Sequence, residues 1–237
     1  MRKKYEKLGI LGGMGPLATY TLYKNIIEDT PAERDQEHND MVILNAAYIP
    51  DRTNGILHGG KSPLPELLDA LKILESSGCD LVAIPCNTSH YFYDEMQNSC
   101  KIKILNMIEL TAEKLNQLGV SKAFLTATEG TVKTGIYQKY CARKNIEIVS
   151  PDNRETDELT RIIYEIKAGK NPDVTELKNI SEKYYNLGCE KIILGCTELS
   201  LIPKKYIKNN SPETVIDAMD ILKDKILESF GIKNKIT

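Results

Sequence analysis

Two cysteines at matching places in a doubled stretch, Cys86 and Cys196, are the residues most able to do chemistry in this chain. Residues 78–88 read GCDLVAIPCNT and residues 188–198 read GCEKIILGCTE. Aligned without a gap, Gly78 falls on Gly188, Cys79 on Cys189, Asp80 on Glu190 and Cys86 on Cys196. Each copy reads as a turn glycine, a short apolar run of buried-strand length, and a cysteine followed by side chains suited to starting a helix. The two thiols are therefore expected at equivalent strand ends of two similar halves. In open parallel sheets, ligands bind beyond the carboxyl ends of the strands, where orphan N–H groups point outward. A helix N-terminus at that place is expected to lower a thiol pKa from about 8.5 towards neutrality. One thiol can then remove a proton from one face of a carbon while the other donates to the opposite face, which inverts the stereocentre. A pKa near the working pH lets either cysteine take either role. Cys79 and Cys189 begin the strands at the opposite end and read as small buried residues.

A Cys/His nucleophile competes with this reading, because His90 lies four residues after Cys86 and shares its face if a helix runs between them. No acid is evident to orient the imidazole, and Cys196 is then left without a role. Residues 13–18 match G-x-G-x-x-A after a strand, the pattern of a dinucleotide-binding turn. Pro16 offers no N–H to a pyrophosphate, however, and the second strand ends in Asn45-Ala46 without an acidic residue for a ribose. A tight turn that also approaches a small ligand, with Met14 at its apex, is the preferred reading. Loss of a proton next to a carboxylate requires stabilisation of the developing charge. Asn87, Thr88 and Thr197 follow the cysteines directly and can present backbone N–H groups to a carboxylate. Thr128 and Thr131 occupy the first turn of the second half. Arg52 lies in a long polar loop, residues 48–62, where it either grips a carboxylate with two hydrogen bonds or is simply solvated. Lys167, taken alone, reads as a cation complementing the end of a helix dipole.

These residues need a scaffold in which strands and helices alternate. Strands are expected at 7–11, 41–44, 81–84 and 102–105 in the first half, and at 123–125, 146–149 and 191–194 in the second. Between them fall helices beginning at Leu17, at 63–77, after Cys86 through Met96, at 108–118, near Tyr137, at 157–168 and at 175–187. Strand–helix alternation argues for an α/β fold with mainly parallel sheets flanked by helices. Two pseudo-symmetric domains follow, with the active site in the cleft between them. Residues 1–105 plus 212–237 are expected to form the domain carrying Cys86, and residues 106–211 the domain carrying Cys196. A last helix over 214–230 is expected to return and pack on the first half.

Composition bounds the partners. The chain has 237 residues, long enough for two cores, and its Lys+Arg 31 and Asp+Glu 33 leave no basic field to attract nucleic acid. Basic runs at Arg2 to Lys4 and Lys204 to Lys208 read as solvated faces. The first seven residues turn charged again before an apolar stretch develops, unlike a signal peptide, and no run reaches the ~18 apolar residues of a membrane span. A cytoplasmic protein with six reduced cysteines is expected. No H-E-x-x-H, C-x-x-C or zinc-spaced Cys/His cluster occurs, so no metal is expected.

Taken together, residues 12–19 (GGMGPLAT), 49–53 (IPDRT), 85–88 (PCNT), 125–131 (LTATEGT) and 195–198 (GCTE) resemble the aspartate/glutamate racemase family, and within it the aspartate racemase branch. The resemblance covers essentially the whole chain. It implies a homodimer of two-domain subunits and cofactor-independent interconversion of L- and D-aspartate, with glutamate as a second substrate. It places two-base proton transfer on Cys86 and Cys196, without PLP, flavin or metal. It further implies that Arg52 and Lys167 bind the substrate carboxylates; Met14, Asn87, Thr88, Thr128, Thr131 and Thr197 are expected to contact the substrate beside them. The glutamate racemase branch has Asp-Ser-Gly at the first turn and a histidine two positions after its second cysteine. Here Gly12-Gly13-Met14 and Glu198 stand at those places. Alternatives from other classes are a cysteine-dependent dicarboxylate isomerase of the same superfamily, a non-catalytic amino-acid sensor and a dinucleotide oxidoreductase.

Overall fold

The computed structural model describes residues 5–207 and 212–232. The basic residues Arg2, Lys3, Lys4 and Lys208, and residues 233–237, lie outside the described part. In chain order the first half consists of β1 (Lys7–Gly12), α1 (Pro16–Asp29), β2 (Asp40–Asn45), α2 (Arg52–Leu57), α3 (Leu64–Ser76), β3 (Leu81–Ala83), α4 (Tyr93–Ser99), β4 (Lys103–Ile104) and α5 (Met107–Gln117). The second half runs β5 (Lys122–Thr126), α6 (Glu129–Thr134), α7 (Ile136–Ala142), β6 (Glu147–Val149), α8 (Asn153–Lys167), α9 (Thr175–Asn186), β7 (Lys191–Leu194), β8 (Val215–Asp217) and α10 (Ala218–Ser229).

Each half folds into a four-stranded sheet, in the orders β2-β1-β3-β4 and β6-β5-β7-β8, and every pairing is parallel. The two orders are the same topology used twice. The doubled stretch explains how each copy finds its register. Gly78 and Gly188 end the helices before it in left-handed conformations, φ 76° and 88°. The acid two positions later then anchors the start of the central strand. Asp80 accepts hydrogen bonds from the N–H groups of Glu6 and Lys7 at 2.9 and 3.1 Å, and Glu190 accepts from those of Ser121 and Lys122 at 2.8 and 3.2 Å. Different side chains thus perform the same task at the same place in each half.

Side-chain alternation along the strands divides the interior into three cores. Val82 and Ile84 face Leu67, Leu71 and Leu74 of α3, while Phe124, Ile192 and Leu194 face Leu159, Ile162 and Ile163 of α8. The opposite faces, through Leu8, Ile10, Leu81, Ala123, Leu125 and Ile193, feed one core shared by both halves. It is filled by Leu22 and Ile26 of α1, Ile108 and Leu115 of α5, Tyr137 and Tyr140 of α7, and Met219, Leu222 and Ile226 of α10. The closing helices are exchanged: α5 packs on α7 of the second half, α10 packs on α1 of the first, and the two pack on each other.

Three expectations are corrected. Residues 214–230 are not a single helix, and residues 212–237 do not all join the first half, because Val215–Asp217 form β8 and pair with β7. The two adjacent apolar residues there, Val215 and Ile216, merge with the helical pattern that follows, so the strand is hidden in sequence. The long loop at 48–62 contains α2, started by Asp51, whose carboxylate accepts the N–H of Asn54 at 2.9 Å. Finally, no α-helix follows Cys86 directly; residues 88–92 form a 3₁₀ turn before α4.

Asp217 closes β8 and caps α10, accepting from the N–H of Met219 and the hydroxyl of Ser200 at 2.8 and 2.7 Å. Burial and the neighbouring Asp220 push its carboxyl up to about 6, against the opposing pull of its hydrogen bonds and Lys204. The folded chain therefore holds a proton there between roughly pH 4 and 6 that the unfolded chain has lost, so this contribution to stability falls as pH rises through that window. The Tm of the wild type relative to that of Asp217→Asn should accordingly fall between pH 4 and pH 7. A pH-independent difference in thermal unfolding would show that Asp217 does not titrate in this way.

Candidate active site

Each cysteine stands just beyond the carboxyl end of an inner strand, Cys86 three residues after β3 and Cys196 two residues after β7. Both line one small, nearly filled cavity, closed by residues of both halves. Neither begins an α-helix: the chain continues into single 3₁₀ turns at Thr88–Phe92 and Leu199–Leu201. The expected lowering of both thiol pKa values is corrected for Cys196. Burial, and next the charge of Glu198, push this thiol well above its usual range, with Lys167 opposing. His90 also has a different task from the one a Cys/His pair requires. Its Nδ1 donates to the carbonyl oxygen of Cys86 at 2.8 Å, and its Nε2 accepts the N–H of Met107 at 3.3 Å. The ring is fully buried, which lowers its pKa and keeps it neutral, and it fixes the backbone beneath Cys86 rather than its sulfur.

A seam of hydroxyl and amide contacts joins the halves beside the thiols. Thr88 Oγ1 lies 2.8 Å from Thr131 Oγ1 and 3.2 Å from Thr128 Oγ1, across the two halves. Thr197 Oγ1 donates to the carbonyl of Pro85 at 3.1 Å. Tyr137 donates its hydroxyl to Asn87 Oδ1 at 2.6 Å, which turns the amide nitrogen of Asn87 the other way, buried and without a partner. Thr131 thus stands behind Thr88 rather than on the cavity wall; Thr88, Thr128, Thr197 and Asn87 line it. Gly130 permits this approach. A Cβ there would stand 2.6 Å from Thr53 Oγ1 and 2.9 Å from Thr88 Cγ2.

Two cations enter, one from each half. Arg52, the first residue of α2, is only 8% exposed, so it is no solvated loop residue. Its Nη1 donates to the carbonyls of Ile49 and Pro50 at 3.3 and 3.0 Å, and its Nη2 to that of Met14 at 3.3 Å, while Nε has no partner. Lys167, in the last turn of α8, points into the cavity instead of only completing its helix. Its ammonium donates to the same Met14 carbonyl at 3.2 Å and lies 3.2 Å from Glu198 Oε1. The turn at Gly13 makes that carbonyl available. Gly13 has φ 88°, and a Cβ on it would come within 2.5 Å of the backbone of Ala46. Burial alone would lower the pKa of Arg52, but Cys86 and Asp51 outweigh it; for Lys167 burial is likewise outweighed, by Glu198 and the two sulfurs. Both cations are held above their usual values.

The cavity also contains residues that the sequence reading did not assign as contacts: Asp51, Thr53, Tyr164 and Glu198. Tyr164 donates to Asp51 Oδ2 at 2.7 Å, another bond across the halves. Its spacing of three residues from Lys167 on a helix was a usable signal. Glu198 Oε2 accepts from Cys196 Sγ at 2.9 Å. Among the described residues no group of three or more His, Cys, Asp or Glu side chains is arranged to hold a metal ion.

The model of the Asp/Glu/hydantoin racemase family matches residues 11–225. The chain belongs to this family. Among solved structures, the racemase fold is matched by the aspartate racemase of Picrophilus torridus, with a TM-score of 0.86 and 32% identity over 97% of this chain and 96% of that one. An aspartate racemase homologue from Pyrococcus horikoshii OT3 matches with a TM-score of 0.74 and 28% identity, over 95% and 99% of the two chains. The broad specificity amino-acid racemase RacX of Bacillus subtilis is 26% identical over 94% of this chain and 97% of its own length. In this racemase-family chain, Gly130→Ala should force Thr53 and Thr88 apart. We expect a loss of about 1–3 kcal/mol in denaturant unfolding, where an alanine in an open helix would otherwise stabilise by up to about 1 kcal/mol. A gain in stability would mean that the seam yields without strain.

Proposed function

We propose that the protein interconverts L- and D-aspartate by proton transfer between the α carbon and two thiols, Cys86 and Cys196. Membership of a racemase family makes an isomerase the reaction class. The observation that carries the finer reading is the meeting of two cysteines, one from each half, in a single small cavity with two buried cations. A compound bound between the thiols has one of them on each side of its α carbon, the arrangement that inversion by two bases requires. Two buried cations favour a dicarboxylic amino acid, and within that class the likeness to an aspartate racemase at 32% identity over nearly the whole chain favours aspartate.

The geometry supports a role for each side chain. Arg52 is pinned by three backbone carbonyls, which leaves its unpartnered Nε edge free to take a carboxylate with two parallel hydrogen bonds. Asn87 offers its unpartnered amide N–H as a further donor. Lys167, held by the same Met14 carbonyl, supplies the second positive charge. With both carboxylates compensated, the negative charge that develops at the α carbon is not formed beside two bare anions. The thiols then exchange roles between the two directions, and no added cofactor enters the scheme.

The test is incubation of the purified protein with L-aspartate in heavy water, under reducing conditions and without added cofactor. D-aspartate is read by chiral chromatography and α-deuterium by mass. We expect D-aspartate carrying solvent deuterium, reduced at least about 100-fold by Cys86→Ala or Cys196→Ala. Ligand binding without turnover in the wild type would instead make the cleft a sensor. Arg52→Lys keeps the charge but loses the two-pronged grip, and kcat/KM should fall by about 10- to 100-fold, an effect of the size expected for charge-assisted hydrogen bonds. Activity unchanged by that substitution would remove Arg52 from substrate binding.

A further inference from the structure

A scheme with two thiols alone gives Glu198 nothing to do, yet its carboxylate is 2% exposed and set against one of the two sulfurs. Oε2 accepts the Cys196 S–H at 2.9 Å and lies 3.5 Å from the Thr197 hydroxyl. Oε1 faces the Lys167 ammonium at 3.2 Å but is off the angle of a hydrogen bond to it, and has no other partner. Gly15 leaves the space that Oε1 occupies, since a Cβ on it would stand 3.0 Å away. The other sulfur stands among cations: Arg52 and Lys167 both act on Cys86, whereas at Cys196 the carboxylate of Glu198 opposes Lys167. The two thiols are therefore not equivalent, although they stand at equivalent places in the fold.

We propose that Glu198 holds the proton of Cys196 during turnover, so that Cys196 exchanges protons with the substrate without standing as a free thiolate. This rests on the two-cysteine reading above. Loss of the Cys196 proton to water would leave two anions a hydrogen bond apart in a buried cavity, which is strongly unfavourable. Transfer to Glu198 keeps a single negative charge in the pair. When Cys196 acts as base, the Cα–H bond breaks and its proton joins Sγ, while the former S–H proton moves to Oε2. The electron pair remains on Cα until the Cys86 thiol protonates the opposite face. The inverted product then lies beside a Cys86 thiolate near Arg52, a Cys196 thiol and a Glu198 carboxylic acid. The reverse reaction starts from that state. The two forms of the enzyme contain the same number of protons and differ by one moved between Cys86 and Glu198, and each form accepts one enantiomer. Glu198 acts through Cys196 and is a positioning residue.

The deciding experiment uses the whole protein and Glu198→Gln, which keeps size and accepting ability but cannot take the proton. Racemisation and α-deuterium uptake are measured from each pure aspartate enantiomer, and alkylation of Cys196 by iodoacetamide at pH 8 is followed by peptide mass. We expect racemisation to fall about 100-fold or more. Deuterium uptake without inversion should survive for the enantiomer whose α hydrogen faces Cys86 and be lost for the other. Alkylation of Cys196 should become about tenfold faster, the effect of one pKa unit, because the neighbouring negative charge is gone. Glu198→Asp, which can still take a proton, should regain part of the activity. Wild-type racemisation in Glu198→Gln overturns the proposal, and so does an equal loss of uptake for both enantiomers with unchanged alkylation. If the wild type itself neither racemises nor exchanges aspartate, the two-cysteine reading fails, and the proton-holding role of Glu198 falls with it; the alkylation rate then still reports whether Glu198 acts on Cys196.

Discussion

Two thiols from different sheets can serve one carbon only if the sheets keep a fixed separation, and that separation is set where Thr88 meets Thr128 and Thr131. These hydroxyls are buried and bonded to one another rather than to water, so parting them would strand several polar groups at once. Thr197 on the carbonyl of Pro85 and Tyr137 on Asn87 extend the same contact to both sides of the cysteines. The small size of Gly130 is part of the same constraint, because any side chain there meets Thr53. The polar contacts that position the site are therefore also the contacts that join the halves.

Within that frame, the electrostatic arrangement is asymmetric. The Met14 carbonyl fastens both cations from one point, yet Arg52 keeps company with Cys86 while Lys167 is paired with Glu198. A pseudo-symmetric scaffold thus delivers two chemically different environments to its two thiols. The difference arises from single residues after the strands and not from the strands themselves, since β3 and β7 occupy equivalent places in sheets of the same order.

Much of this was legible in the sequence because its signals are local. The doubled stretch, with its glycine, acid and apolar run, identifies two parallel units, and Asp80 and Glu190 show why the acid recurs. Cys86 and Cys196 meet in one cavity as their paired placement suggested, while Arg52, which the pattern alone left between a carboxylate grip and a solvated loop, and Lys167, which it left as a helix-end cation, line it as well, with Met14. What escaped depends on direction. An α-helix after Cys196 would have carried Glu198 elsewhere, whereas the 3₁₀ turn that begins at Leu199 leaves its carboxylate against the sulfur. β8 escaped because its two apolar residues, Val215 and Ile216, run with little break into the stripe of α10. α2 could have been found, since Asp51 three residues before Asn54 is a recognisable cap.

The exchange of α5 and α10 has a consequence for the history of such a chain. Two like units fused end to end ordinarily retain the option of separating, each with a complete core. Here each sheet has its inner face covered partly by a helix that belongs to the other unit, and the two borrowed helices also lean on each other. A cut between residues 118 and 121 would leave both fragments with an open apolar face and a helix suited only to its lost neighbour. The duplication has in this sense become irreversible: the halves still look like two proteins, but neither is any longer the inheritance of one alone.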